Sequence, residues 1–298
     1  MIWFRGEIVS DEAVTVNALD RSFEHGLGLF ETFRTWNGHP TLLDHHLDRM
    51  RRSARELGLT VDPGDWPDES AVCELAREVE AARHREAREA EYVPPDVPDM
   101  RLRLVLTGGP APGVCRSQDS ALWMTAVRLI PGKPAGARIL RSILADPEDP
   151  LARHKTLNYW RRRIEQERAA AEGADEVLSV TPDGRICEGI RSNLFLVREG
   201  RLVTPSTDLP ILPGVMRQGV IDRARVVGME VVEGTIRIEE LPTFQEAFLT
   251  NSVRGMSPVG RVLNAEFPAP GPITVRLWEE VRGWLESGRS GRGVEGAV

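Results

Sequence analysis

The 298-residue chain is short of cysteine, of lysine and of long apolar runs. Its three cysteines are scattered and odd in number, so they form neither a metal-binding spacing nor a disulfide framework. The first six residues lack the features of a signal peptide, and no stretch approaches the roughly 20 apolar residues that span a bilayer. These absences predict a cytoplasmic protein with free thiols and no membrane partner. The three thiols belong to Cys73, Cys115 and Cys187.

Negative charges outnumber positive ones, with 45 aspartates and glutamates against 38 lysines and arginines. The net charge is -7 at pH 7, and the sequence pI is about 5.5. No broad basic surface is implied, so we expect no nucleic-acid partner. Lys133 and Lys155 are the only lysines, beside 36 arginines. A reaction that depends on a lysine amine therefore has two candidate residues in the chain.

Length and composition indicate a globular protein of two domains. The chain is 41% hydrophobic and 28% charged, which is enough apolar material for a sizeable core. Residues 131–137 (PGKPAGA) contain two prolines and two glycines between two strand-like stretches, and we predict that they form the interdomain linker. The expected domains are residues 1–130 and 138–287. The glycine-rich tail at 288–298 is predicted to be disordered.

The spacing of apolar residues predicts a mixture of helices and strands. Residues 41–59 follow helical periodicity, and Gly58 is expected to end this helix. Residues 69–91 form a mostly polar run that is typical of a solvated surface helix. Residues 100–107 (MRLRLVLT) alternate charged and apolar side chains as a half-buried strand does, which puts Arg101 and Arg103 on one face. The expected fold class is therefore mixed α/β.

Four segments combine glycines, charged side chains and helix starts. The first joins Asp20-Arg21 to residues 25–34 (HGLGLFETFR), and Arg49 follows it inside a predicted helix. In the second, residues 153–159 (RHKTLNY), Lys155 precedes a helix expected from about Leu157. The third and fourth are residues 183–195 (DGRICEGIRSNLF) and residues 212–217 (LPGVMR).

These segments resemble the sequence blocks of the class IV aminotransferases, the pyridoxal 5′-phosphate (PLP) enzymes of fold type IV. The resemblance extends from residue 2 to about residue 262, apart from the region 62–98. It implies a two-domain α/β fold, with a smaller N-terminal domain and a larger C-terminal pseudo-barrel that binds PLP. It also implies a homodimer that acts on a small molecule with an amine and a carboxylate.

The resemblance assigns the central chemistry to Lys155 and Glu188. Lys155 matches the lysine that holds PLP as a Schiff base and later moves protons, while Lys133 falls in the predicted linker. Glu188 matches the carboxylate beside the pyridine nitrogen, where negative charge favours the protonated ring. The alternatives are a solvated lysine and an exposed acid after the hairpin turn at Asp183-Gly184.

The resemblance implies further contacts to the cofactor and the substrate. Arg49 matches the phosphate-binding arginine, whose planar fork can grip phosphate, although the alternative is a surface run with Arg51 and Arg52. Gly214 opens a helix, and a helix N-terminus presents N–H groups to an anion. The remaining implied residues are Val215, Met216 and Ser252 at the phosphate, Asn193 at the cofactor, and Phe30, Arg101 and Arg103 at the substrate. For the two arginines of the strand, the alternative is a solvent-facing role.

The fold leaves the reaction open, because the family runs several reactions on one scaffold. Residues 251–259 (NSVRGMSPV) and 214–218 (GVMRQ) resemble the 4-amino-4-deoxychorismate lyases, which release pyruvate and 4-aminobenzoate in folate biosynthesis. Residues 110–117 (PAPGVCRS) depart from the glycine-arginine-rich loop of these lyases. One alternative is an aminotransferase of the branched-chain or D-amino-acid type, which needs a 2-oxo acid. The other is a catalytically silent member of the family.

Overall fold

The structure is a computed structural model that describes residues 1–86, 98–110, 120–130 and 136–287. By their contacts the residues group into two compact units, of which the first comprises Met1–Pro131, His154–Asn158 and Trp284–Val298 and the second Gly132–Arg153 and Tyr159–Gly283. Most of the predicted linker, the predicted tail, Cys115 and Lys133 lie outside the described residues. The domain boundary therefore stays a prediction.

The first unit is built on an antiparallel sheet of six strands. The strand order is β2-β1-β6-β5-β3-β4. The elements are β1 (Ile2–Phe4), β2 (Glu7–Val9), α1 (Arg21–His25), β3 (Gly28–Trp36), β4 (His39–Pro40), α2 (Leu43–Glu56), α3 (Glu69–Glu86), β5 (Met100–Thr107) and β6 (Leu122–Arg128).

The core of this unit forms where α2 and α3 pack against the sheet. The alternation of strand side chains sends Leu29 and Phe33 of β3 into this core. The polar sequence of α3 predicted a solvated surface helix. The structure differs, because α3 buries Val72 and Leu75 completely. These two residues lie three positions apart, so even a largely polar helix presents a narrow apolar stripe to the sheet.

The second unit contains a mixed sheet of nine strands. The order is β12-β11-β10-β13-β14-β7-β8-β9, with β15 paired to β14. The pairs β11–β12, β14–β7 and β7–β8 are parallel. The elements are β7 (Ala137–Leu144), α4 (Trp160–Ala171), β8 (Glu176–Val180), β9 (Ile186–Gly189), β10 (Asn193–Arg198), β11 (Arg201–Pro205), α5 (Val215–Val226), β12 (Val231–Gly234), β13 (Glu246–Asn251), β14 (Gly255–Val262), β15 (Ala265–Glu266) and α6 (Pro272–Glu286), whose last three residues are grouped with the first unit.

The end strand β9 also lies beside β10 and β11, so the sheet of the second unit curls back on itself. This curl, together with the mixture of parallel and antiparallel pairs, confirms the expected α/β class and pseudo-barrel. Within the described residues, no helix has both the length and the apolar content to cross a bilayer.

The segment from His154 to Asn158 extends the sheet of the first unit. The Phe30 N–H donates to the Lys155 carbonyl and the Leu157 N–H donates to the Gly28 carbonyl, each at 2.9 Å. A side chain at Gly28 would lie 2.8 Å from the Leu106 carbonyl oxygen and 2.6 Å from Leu157 Cδ1, so glycine is needed where this segment and β5 flank β3. Because these backbone groups bond to β3, α4 begins at Trp160 rather than at Leu157.

Candidate active site

The first unit brings three of the predicted site residues together. Lys155 Nζ lies 4.6 Å from the centre of the Phe30 ring, and Arg103 Cζ lies 3.9 Å from the same centre. Phe30 is 3% exposed. Arg103 reaches the ring because β5 pairs with β3 in a register that places it opposite Thr32. The Lys155 amine and the guanidinium of Arg103, a predicted carboxylate-binding residue, therefore both contact the ring of Phe30.

Arg101 lies on the same face of β5 as Arg103, as the alternation predicted. Both arginines are exposed, whereas Leu102 and Leu104 are fully buried. The register places Arg101 opposite Arg34, two residues further along β3 than the partner of Arg103. The structure thus places Arg103, but not Arg101, against Phe30.

Arg49 is held by a buried carboxylate. Its Nε donates to Glu31 Oε1 at 2.8 Å, and its Nη2 donates to Glu31 Oε2 at 2.6 Å. Arg49 is 5% exposed, so its assignment to a surface run with its neighbours is wrong. The two bonds fix the plane of the guanidinium group, and its other N–H bonds point away from Glu31. The role of Arg49 at a phosphate stays a prediction.

Glu31 and His46 complete this buried cluster, and the sequence did not identify them. His46 Nδ1 lies 2.7 Å from Glu31 Oε2. Burial raises the pKa of Glu31, but Arg49 and His46 outweigh it and bring that pKa to about 2. Burial lowers the pKa of His46, and the charges of Arg49 and Lys155 act in the same direction. The available signal was the spacing of His46 and Arg49, which puts both on one face of α2.

The second unit holds Glu188 in a defined position on β9. Glu188 Oε2 accepts hydrogen bonds from Asn193 Nδ2 at 3.0 Å and from the Leu212 N–H at 3.1 Å. Glu188 Oε1 lies 3.7 Å from Arg162 Nη2. The glutamate is 5% exposed, so the alternative of an exposed acid after the hairpin is wrong. Arg162 was not identified because it is one of three consecutive arginines.

Asn193 connects Glu188 to the start of α5. Its Nδ2 also donates to the Leu212 carbonyl at 3.0 Å. Any side chain at Gly214 would collide with Asn193 Oδ1, so glycine is needed where the chain enters the helix. Val215 and Met216 are buried in the first turn that follows. Asn193 therefore positions both the Glu188 carboxylate and the start of α5. Its contact to the cofactor stays a prediction.

The loop after β13 is closed by its own side chain. Asn251 Oδ1 accepts hydrogen bonds from the Val253 N–H at 3.1 Å and the Arg254 N–H at 2.8 Å. Gly255 has a φ of +71°, and a side chain there would lie 2.5 Å from the Trp278 ring. Ser252 is half-buried within this loop. Thr250 Oγ1 is buried and has no hydrogen-bond partner within the described part of the chain.

Two cysteines can be located. Cys73 lies beside His39 and Glu69, with the possible ligand atoms of the three residues within 4.8 Å of one another. This proximity depends on the β4–α3 contact and was not visible in the cysteine spacing. Burial raises the pKa of the Cys73 thiol, and burial raises that of Cys187 to about 11. Both cysteines are free thiols.

Comparison with known proteins places these residues in a family. The aminodeoxychorismate lyase of Bacillus subtilis (strain 168) is 28% identical over 274 residues, which cover 88% of this chain and 86% of that protein. The branched-chain-amino-acid aminotransferase of Escherichia coli (strain K12) is 26% identical over 316 residues, 96% of each chain. A hypothetical aminotransferase from Mycobacterium tuberculosis, solved in a PLP-bound form, is 25% identical with a TM-score of 0.74 and covers 96% of this chain and 99% of that one.

A family model described as amino-transferase class IV matches residues 28–262. That range contains the Lys155 segment, the Glu188 motif, the start of α5 and the loop after β13. Members of the family are PLP-dependent lyases and aminotransferases. The chain therefore belongs to the class IV aminotransferase family of PLP-dependent enzymes.

Proposed function

We propose that the protein is a 4-amino-4-deoxychorismate lyase that holds PLP on Lys155. Several side chains of the chain fit the cofactor by the chemistry of their donors. Lys155 supplies an amine, and Arg49 supplies a guanidinium whose plane is fixed by Glu31. Thr250 Oγ1 is a buried hydroxyl without a partner among the described residues, next to the loop that contains Ser252. The start of α5 adds backbone N–H groups that suit a phosphate.

The loop from Asn251 to Gly255 is the observation that carries the lyase assignment. Asn251 closes the turn, and the positive φ and the tight contact with Trp278 require glycine at 255. Asn251 and Gly255 are the first and last residues of the lyase-like pattern NSVRG. The corresponding patterns that branched-chain and D-amino-acid aminotransferases more often carry, GTa.evtPv and sTtsevtPV, place a glutamate at the position of Gly255, where a side chain would collide with the Trp278 ring. The packing of the loop thus supports the lyase over an aminotransferase.

The side chains divide the work of the proposed reaction. When bound, PLP supplies a pyridine ring that withdraws electrons from the substrate. Glu188, held by Asn193 and Leu212, favours the protonated form of a nearby ring nitrogen. Lys155 Nζ would hold the cofactor covalently, and the same amine would accept and donate protons during the reaction. Arg103 binds a carboxylate of the substrate, and Arg49 with Ser252, Val215 and Met216 holds the phosphate.

An amino-acid aminotransferase is the second candidate. It is favoured by the match to the Escherichia coli branched-chain enzyme over 96% of both chains. The same Lys155 and Glu188 would serve it. The two functions differ in their requirement for a second substrate, because transamination consumes a 2-oxo acid and the lyase reaction does not.

A product assay tests the proposal. The PLP-loaded protein is given aminodeoxychorismate alone, and 4-aminobenzoate and pyruvate are measured. In parallel, a panel of L- and D-amino donors is supplied with 2-oxoglutarate or pyruvate. We expect equal amounts of the two lyase products without any 2-oxo acid. The Lys155→Arg variant, which keeps the positive charge but cannot form the covalent link, is the control and should release neither product.

Each other outcome has a defined meaning. Amino transfer from the donor panel with no 4-aminobenzoate would replace the lyase with the aminotransferase. No reaction with either set, from protein that binds PLP, would identify a silent member of the family. Borohydride reduction followed by peptide mapping should place the cofactor on Lys155. A label on Lys133 would overturn the assignment of the lysine itself.

A further inference from the structure

Phe30 occupies an unusual position on β3. Its neighbours Leu29 and Phe33 point into the hydrophobic core of the first unit, whereas Phe30 lies on the opposite face of the strand. It is nevertheless 3% exposed. A buried aromatic ring outside the core cluster needs other groups to cover it, and two of those groups are cations.

The two cations are Lys155 and Arg103. Lys155 Nζ lies 4.6 Å from the ring centre, and Arg103 Cζ lies 3.9 Å from it. Both distances are within the range of about 6 Å in which the negative face of an aromatic ring attracts a cation. Because both atoms lie this close to the ring centre, the distance between Lys155 Nζ and Arg103 Cζ cannot exceed the sum of these two distances.

The backbone reinforces this arrangement. The Phe30 N–H donates to the Lys155 carbonyl at 2.9 Å, so the residue holds both the main chain and the side chain of the lysine. Arg103 is fixed separately, by the pairing of β5 with β3. Phe30 thus contacts the lysine through both its backbone and its ring, and it contacts the arginine through its ring.

We propose that Phe30 is a positioning residue, which uses its ring to hold the Lys155 amine and the Arg103 guanidinium at a fixed separation. This inference rests on the proposed role of Lys155 as the residue that links PLP. It specifies the substrate as a molecule whose carboxylate lies at a set distance from its reacting amine. Replacing the ring with an aliphatic side chain would loosen both cations at once.

The spectrum of the cofactor provides a readout other than activity. The nitrogen that joins Lys155 to PLP is a cation when protonated, and the face of the ring favours that form. Its titration is followed by absorbance in the PLP-loaded protein without substrate. In Phe30→Leu we expect the pKa of this link to fall by roughly half a unit to one unit. We also expect KM for the carboxylate substrate to rise several-fold, because Arg103 loses its support.

Phe33→Leu is the matched control. Phe33 is fully buried, lies three residues away on the same strand and loses the same atoms, but its side chain points into the core. It should lower thermal stability without changing the pKa of the link. Phe30→Tyr retains the ring and should retain the wild-type pKa. If Phe30→Leu does not fold, Phe30→Met replaces it, because methionine fills the volume without a ring.

The outcomes separate this inference from the proposed function. An unchanged pKa and KM in Phe30→Leu or Phe30→Met, in protein whose cofactor is mapped to Lys155, would overturn the role of Phe30 alone. An equal shift in Phe33→Leu would also overturn it, since a general loosening of β3 would then explain the result. A wild-type protein that carries no label on Lys155 would instead refute the proposed function.

Discussion

At the residue scale, Arg49 combines a buried anchor with a charge suited to phosphate. Its removal should weaken PLP binding by roughly 1.5–3 kcal/mol, the strength of a charge-assisted hydrogen bond. Pyridoxal, which lacks the phosphate, should bind Arg49→Ala as well as it binds the wild type. Absorbance titration with both compounds measures the difference.

The control for this prediction is Arg52→Ala. Arg52 lies one turn further along α2 and is exposed, so its loss should leave the binding of both compounds unchanged. If Arg49→Ala weakened pyridoxal and PLP equally, the arginine would serve the fold through Glu31 rather than the phosphate.

Glu188 allows a second test at this scale. In Glu188→Gln the amide oxygen can still accept from Asn193 Nδ2 and the Leu212 N–H, so the variant should fold and stay yellow with PLP. The amide carries no negative charge, and the protonated ring loses its stabilisation. We expect turnover per loaded site to fall about 10²-fold, or about 2.7 kcal/mol of barrier. Near-normal turnover with a lower melting temperature would mean that Glu188 is structural.

At the scale of elements, the contact between α2 and β3 should make stability depend on pH. Burial holds the pKa of His46 below its ordinary 6.5, so the unfolded chain binds a proton there that the folded chain resists. Stability should therefore fall as the pH drops below about 6.5. The pKa of Glu31 is lowered from 4.5 to about 2, so a further contribution is lost between those values. Its size is on the order of 3 kcal/mol.

Urea unfolding at pH 7.5, 5.5 and 3 measures this dependence. The His46→Gln variant should lack the loss of stability between pH 7.5 and 5.5. Glu176→Gln is a useful control, because Glu176 is also a buried glutamate but burial raises its pKa. Because the pKa of Glu176 is raised rather than lowered, its replacement should not abolish the acid loss that Glu31 explains. A wild-type protein equally stable at all three pH values would contradict the prediction.

The regular elements were predictable where one periodicity dominated. Residues 41–59 and 100–107 gave α2 and β5 nearly as expected, because apolar side chains repeat there with the period of a helix and of a strand. Strands β9 and β14 were not predicted as strands, since both fall in stretches punctuated by glycine, proline or polar residues. The burial of α3 was missed because a few apolar residues were outweighed by many charges.

Residues of the candidate site could be predicted only where a local sequence motif gives the residue a role. Lys155, Glu188 and Arg49 follow from local sequence blocks. Glu31 lies in the first of these blocks, which gives it no role, and Arg162 lies outside them. Each matters through a partner from a distant segment, Arg49 on α2 and Glu188 on β9, which local sequence does not reveal. The alternation of side chains along a strand predicts which face of the sheet a residue occupies. It does not predict which charged group of another element lies on that face.

At the scale of the whole molecule, we expect a homodimer. The family resemblance motivates it, and exposed apolar side chains at Leu19 and Phe23 supply surface that a second copy can cover. Light scattering at micromolar concentration should report about twice the chain mass of 33.2 kDa. A mass near that of one chain would contradict the expectation.

A substitution localises the expected interface. Phe23 is 68% exposed, so Phe23→Asp should leave the fold intact while shifting the mass towards one chain. Leu144→Asp is the control, because Leu144 is 63% exposed but belongs to the second unit. An unchanged mass in Phe23→Asp would place the interface elsewhere.

The pairing of His154–Asn158 with β3 has a consequence for synthesis of the protein. The edge of β3 at Gly28 and Phe30 receives its hydrogen bonds from residues made more than a hundred positions later. While the chain leaves the ribosome, that edge stays open after the rest of the first sheet has been translated, and open edges are where chains aggregate. A fragment that stops before residue 154 would keep the edge open permanently. The arrival of the lysine segment therefore seals the nascent sheet in the same step that brings the Lys155 amine to the Phe30 ring.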